Sequence, residues 1–343
     1  MNAAWQDFLR ERGAVIEADE AINFGDSAAE LRAVRDGGTI APLSHLEMIA
    51  CAGDDAQTFL HGQLSNDVKQ LAAGRSEYAA YCSAKGRMLA NFLLWREDQT
   101  YYLQLARSLL PAVQKRLAMF VLRAKVRLDD ASDTRPVLGM AGKAAAAALQ
   151  EFFPALPKSP HHLVRDPAHG TLIALSGDRF QLIAEPESAQ RLWGRLARVL
   201  TAVGTPCWKW LEIRNGIPLI TPATQEQFVP QMANMELIGA VSFQKGCYPG
   251  QEIVARTQYL GQLKRRMILA HIEGESAPQA GDSLFGNDLD AQANGMVLNA
   301  QAAPDGGYDL LAVVQTASIG AAALHLESAD GPALSILPLP YPV

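Results

Sequence analysis

Eight consecutive residues, Lys245-Gly246-Cys247-Tyr248-Pro249-Gly250-Gln251-Glu252, set a cation, a thiol and glycine-rich turn residues directly ahead of a run with helical character. Ile253 and Val254 supply an apolar face, and Gly261 stands where a C′ residue would end the helix. A thiol in a loop feeding a helix N-terminus feels the positive end of the helix dipole, and Lys245 adds a second positive influence; both favour the nucleophilic thiolate. Cys247 is therefore the candidate reactive residue, against the ordinary alternative of a small buried hydrophobe. Glu252 and Arg256, four residues apart, either form a surface pair worth little or point together into a cleft. The remaining cysteines, Cys51, Cys82 and Cys207, are scattered, and with no C-x-x-C pair and no Cys/His cluster at ligand spacing the sequence encodes no self-contained metal site.

Two further segments carry groups suited to ligand binding. In Leu211-Glu212-Ile213-Arg214-Asn215-Gly216-Ile217-Pro218, a glycine ends an element and a proline fixes the turn. Arg214 is placed either to clamp a carboxylate in bidentate fashion or to sit on a solvated strand end. In Ser83-Ala84-Lys85-Gly86-Arg87, a basic turn around Lys85 leads into a strand that carries Asn91 among apolar neighbours. The Asn91 amide either reads the edge of a heterocycle or satisfies nearby backbone groups. His61, His161 and His162 have no partner at ligand spacing, and no role is assigned to them.

The elements that must position these groups read as follows. Leu43 to Ala52 is expected to be a strand, followed after Asp54 and Asp55 by a helix whose apolar face is Phe59, Leu60 and Leu64. Arg87 to Trp95 and Thr100 to Ala106 read as a hairpin, Pro111 to Val121 as a helix, and Ala124 to Leu128 as a strand. Downstream, Thr171 to Leu175 and Phe180 to Ala184 form a second expected hairpin, ahead of a helix-like Ser188 to Ala202. The repeated order of strand, strand and helix suits two α+β modules, each an antiparallel sheet covered by helices on one face. From about Leu263 onward, short apolar runs separated by Gly, Asn, Asp and Pro clusters suggest a C-terminal β-barrel or sandwich.

With 343 residues and 49% hydrophobic composition, the chain can bury a sizeable core in two or three domains. A net charge of −6 argues against a broad nucleic-acid footprint. No apolar run approaches the ~20 residues of a membrane span, and the N-terminal residues show neither a basic n-region nor an apolar h-region. A cytoplasmic location is the expectation.

Residues Gln231 to Arg256, with Asn234, Ser242 to Glu252 and Ala255-Arg256, resemble the signature of the YgfZ family. Phe59 to Val68 followed by Gly74, Lys85-Gly86 ahead of a strand, Gly216-Ile217-Pro218 and the late β-rich region resemble the wider glycine-cleavage T-protein (GcvT-like) superfamily, over about residues 40 to 330. The resemblance implies two α+β modules of a ferredoxin-like type and a C-terminal β-barrel, in a cloverleaf around a central channel that binds tetrahydrofolate. Expected boundaries are 1–50 with 134–262 for the folate-binding domain, 51–133 for the second and 263–343 for the barrel. It further implies an accessory protein for the assembly or repair of iron–sulfur enzymes, including tRNA-modifying radical-S-adenosylmethionine enzymes as transient partners. Cys247 is then the required thiol, supported by Lys245, Gly246, Tyr248, Gly250, Gln251, Glu252 and Arg256, with a folate pocket near Asn91, Arg214, Asn234 and Lys85.

The alternative within the superfamily is a folate-dependent aminomethyltransferase or other one-carbon transferase. That enzyme carries a carboxylate in the strand after its lysine-glycine turn, where this sequence has Ala90-Asn91, and an asparagine cannot serve as a carboxylate base. A T-protein glutamate near the glycine-x-proline turn corresponds to Arg214 here, with Glu212 two positions earlier. A sarcosine-oxidase-like demethylase would need a flavin from a partner, since the chain has no G-x-G-x-x-G fingerprint.

Overall fold

The computed structural model describes residues 2–259, 261, 263–286, 293–320 and 323–343. Helices and mainly antiparallel sheets coexist without a βαβ alternation, so the class is α+β, as expected. Among the described residues, no helix is long and apolar enough to cross a membrane.

Three large sheets organise the chain. One has six strands in the order Leu163–Asp166, Gly170–Leu175, Arg179–Ile183, Val137–Ala141, Thr39–Pro42 and Thr201–Ala202, the last pairing parallel to its neighbour. Another has five, in the order Ser76–Cys82, Met88–Glu97, Thr100–Ala106, Leu46–Ala52 and Arg127–Asp130. Met88–Glu97 is buried almost throughout, which explains why it reads as a continuous apolar run rather than an alternation. It turns into Thr100–Ala106 through Asp98, whose φ of 52° gives the left-handed geometry of a tight hairpin.

The C-terminal sheet orders Leu324–Leu326, Ser283–Gly286, Ala293–Ala302, Tyr308–Gln315, Arg265–Ile272 and Leu334–Leu337. Its neighbouring strands pair antiparallel around an apolar core that includes Ile268, Val297, Leu310 and Ala312. A bridge between His325 and Ala333 curls the sheet, drawing its edge strands together. This is the β-region expected from the short apolar runs.

The strand expected from Leu43 to Ala52 is present as Leu46–Ala52, preceded by a separate strand, Thr39–Pro42, in another sheet. Two local readings are corrected. The helix expected to reach Ala202 ends at Leu196, and Thr201–Ala202 joins the sheet. Arg214 is the last residue of a helix, Thr205–Arg214, and not a strand end. Gly216 closes that helix at φ 64°, with Gly216 N–H donating to Ile213 and Ile217 N–H to Glu212.

Two compact units emerge from the contacts. The first comprises Met1–Ala56, Leu71–Glu77 and Leu94–Leu211; its core joins Trp5, Leu9, Phe153 and Trp193, with Phe24 stacked on Trp193 at 5.4 Å. The second comprises Gln57–Gln70, Tyr78–Leu93 and Glu212–Val343 and contains the curled sheet and the Cys247 loop.

Candidate functional site

Cys247 is the exposed cysteine of the four; Cys51, Cys82 and Cys207 are buried, and burial pushes each of their thiols up to about 12. The helix expected after it is present as Gln251–Tyr259, so the thiol lies one turn ahead of the helix start. Its loop is held from both ends. On the first side, the buried Lys245 ammonium donates to the carbonyls of His61 and Leu64, each at 2.5 Å, and lies 5.0 Å from the ring centre of Tyr248. Lys245 thus caps the C-terminal end of the Ala56–Gln63 helix, where helical carbonyls lack intrahelical donors. Its charge is directed at that end, a role the sequence did not reveal.

On the second side, two glycines meet. Gly250 adopts φ 79°, and a Cβ there would lie 2.4 Å from the Ser83 carbonyl oxygen and 2.6 Å from Gly86. Gly86, at φ 71°, would in turn press a Cβ to within 2.9 Å of Ile253. Only glycine suits either position. The basic turn and the cysteine loop, 160 residues apart, therefore form one packed unit, with Gly86 N–H donating to Ser83 and Gln251 N–H to Tyr248. Tyr248 is buried beneath the loop, and that burial, with Cys82 nearby, raises its hydroxyl pKa. Gln251 reaches back to the Lys245 carbonyl at 3.4 Å, whereas Lys85, Glu252 and Arg256 are exposed.

The other expected ligand residues divide. Asn91 is buried with its amide engaged at both ends: Nδ2 donates to Pro218 O and Oδ1 accepts from Ile220 N, both at 2.8 Å. Of its two sequence readings, backbone satisfaction is the one observed. Asn234 is fully buried in the left-handed conformation that ends the Pro230–Ala233 turn, and donates to Met267 O at 3.1 Å. Arg214 is different. Its guanidinium is substantially exposed at the helix end, 3.5 Å from the buried Asp309, whose other oxygen lies 2.8 Å from His271 Nδ1. A cation held in place by a buried carboxylate while keeping free edges suits recognition of an anionic group.

Residues 5–166 match the family described as the GCVT N-terminal domain. Over the whole chain, the crystal structure of the glycine cleavage system aminomethyltransferase T from Bartonella henselae is similar with a TM-score of 0.83 at 19% identity, covering 99% of this chain and 97% of that one. The fold is GcvT-like. Heterotetrameric sarcosine oxidase from Corynebacterium sp. U-96 aligns with a TM-score of 0.38 and 16% identity over 50% of this chain and 90% of that one, a likeness too partial to define a fold.

Sequence reasoning missed the polar staple beneath the loop. Ser65 Oγ donates to Ala240 O at 2.6 Å and accepts from Ala80 N at 2.8 Å, while Asn66 Nδ2 donates to Tyr78 O and Gly239 O. These bonds fix the chain just after the Ala56–Gln63 helix. The signal was the polar run Ser65-Asn66-Asp67 directly behind an apolar helical face, in a segment that turns out to be buried.

Proposed function

We propose that this chain is a tetrahydrofolate-binding protein of the T-protein type that supports the assembly or repair of iron–sulfur enzymes through the single exposed thiol of Cys247. The observation that carries the proposal is the loop itself: a buried lysine clamp on one side and a glycine-on-glycine contact on the other hold one accessible cysteine in a fixed place. The resemblance to the YgfZ family supplies the iron–sulfur clients, including tRNA-modifying radical-S-adenosylmethionine enzymes, and the T-protein likeness of the fold supports the folate ligand.

The residues present fit such a ligand in part. Arg214, exposed and backed by Asp309, would hold a carboxylate of the folate tail, with Lys85 as a second exposed cation. Asn91 and Asn234 would act by fixing the backbone around the ligand, since their amides are buried on protein carbonyls. A bound tetrahydrofolate supplies a carrier for one-carbon units. Aminomethyl transfer is the less favoured activity: Asn91 stands where a carboxylate is expected, and both ends of its amide serve the backbone.

Calorimetric titration of tetrahydrofolate into the wild type and an Arg214→Ala variant tests the ligand. Saturable binding, weakened about tenfold or more by loss of the charged hydrogen-bond donor, is expected. No binding to the wild type refutes the folate reading.

A further inference from the structure

The segment that follows the Arg214 helix, Gly216-Ile217-Pro218-Leu219-Ile220, is mostly buried and lies outside any helix or strand, so its backbone groups need partners from elsewhere. Side chains from three distant segments supply them. Asn91 spans Pro218 O and Ile220 N, while Asn299 accepts from Leu219 N at 2.9 Å and donates to Leu219 O at 2.8 Å. The third is Tyr341, whose hydroxyl donates to Gly216 O at 2.7 Å. It is carried by Pro338-Leu339-Pro340-Tyr341-Pro342, where the prolines narrow the backbone's freedom. Gly216 makes room for it, since a Cβ there would lie 2.7 Å from both Cε1 and the hydroxyl of Tyr341. The same hydroxyl also hydrogen-bonds the Asn234 side chain, and burial pushes its pKa up to about 12, which keeps it a neutral donor. One phenol thus joins the turn behind Arg214 to Asn234.

We propose that Tyr341 is a positioning residue for Arg214: by holding Gly216 it sets the end of the helix from which the guanidinium reaches an anion. The inference rests on the reading of Arg214 as the group that holds a carboxylate of the folate tail. Asp309, 3.5 Å from the guanidinium, makes a loose ion pair that limits the position of the cation without fixing its direction. The rest of the order comes from the backbone that carries Arg214. Gly216 N–H and Ile217 N–H close the helix locally on Ile213 and Glu212, and the Tyr341 hydroxyl ties that closure to Asn234. Without the hydroxyl, Gly216 O loses its donor and the turn relaxes. A cation ordered before binding loses less freedom when an anion arrives, so carboxylate affinity falls once that restraint is gone.

Calorimetric titration of the full-length protein with two ligands tests the inference: tetrahydrofolate, and methyltetrahydropterin, which carries the ring but no carboxylate. Tyr341→Phe keeps the aromatic ring against Gly216 and removes only the hydroxyl. It should weaken tetrahydrofolate binding about threefold to tenfold, leave methyltetrahydropterin unchanged, and add no further loss in an Arg214→Ala background. Equal weakening of both ligands, or the same loss persisting in Arg214→Ala, would make Tyr341 a general structural support and overturn the inference. A second readout needs no folate. Modification of Arg214 by phenylglyoxal, followed by peptide mass spectrometry, should run about twofold faster or more in Tyr341→Phe as the guanidinium is loosened. No tetrahydrofolate binding by the wild type sinks the folate reading alone, and the labelling then decides the inference, which unchanged rates in the folded variant overturn. Binding by the wild type that Tyr341→Phe leaves unaltered sinks the inference alone.

Discussion

His61 and His161 lie in different compact units, and burial lowers the pKa of both, yet their charged neighbours differ. His161 is closed in. Its ring nitrogen lies 3.1 Å from the Ser76 hydroxyl, and its backbone, at φ 65°, bonds to Ser76 on one side and Ala174 on the other. Burial, reinforced by the charges of Arg75 and Arg179, pushes its pKa down to about 4. His61 has a carboxylate at Nδ1 and a glycine opposite Nε2. A ring among cations and a hydroxyl stays neutral, whereas at His61 the Asp67 carboxylate works against the downward push of burial and Lys245. Sequence spacing treats the two alike; the atoms behind each nitrogen separate them.

The largest way to break this contrast is to dislodge the cysteine loop. Gly250→Val forces a side chain into the left-handed region and onto backbone atoms 2.4 to 2.6 Å away, and is expected to cost about 3 kcal/mol or more by urea denaturation. Wild-type stability would mean that the glycine contact does not set the loop. Next comes the acid lability expected of His161. Its folded pKa lies below the unfolded value, so the stabilisation is present above the unfolded pKa of 6.5 and is lost as pH falls toward about 4. The loss approaches about 3 kcal/mol over that window, and His161→Asn, which tolerates the left-handed backbone, should flatten it in urea midpoints measured against pH.

Lys245→Met should remove about 2 kcal/mol, by leaving the His61 and Leu64 carbonyls without their charged donor. It should also loosen His61 and lower Cys247 reactivity, a combination that no change at His161 should produce. Asn91→Asp has the smallest expected effect, about 1.5 kcal/mol, because Pro218 O loses its donor while Ile220 N keeps an acceptor. The substitution should not create aminomethyl transfer to a lipoyl carrier protein; measurable turnover would restore the transferase reading.

Much of the fold was legible because its signals are local. The hairpin from Met88 to Ala106 and the helix from Gln251 carried their own periodicity and turn residues. The short strands Thr39–Pro42 and Thr201–Ala202 were not, since each depends on a partner strand far away in sequence. At the site, Cys247 was legible from its type and its glycine-rich setting. The uses of Lys245 and Asn91 were not, because a buried cation on two carbonyls and an amide bridging Pro218 to Ile220 are defined wholly by long-range contacts.

The most direct test of the account is replacement of the one exposed thiol. In cells lacking the native protein, wild-type chain and a Cys247→Ser variant, matched for abundance, would be compared by the activity of an iron–sulfur tRNA-modifying enzyme. The account predicts restoration by the wild type and loss with Cys247→Ser; full activity with the serine variant would contradict it.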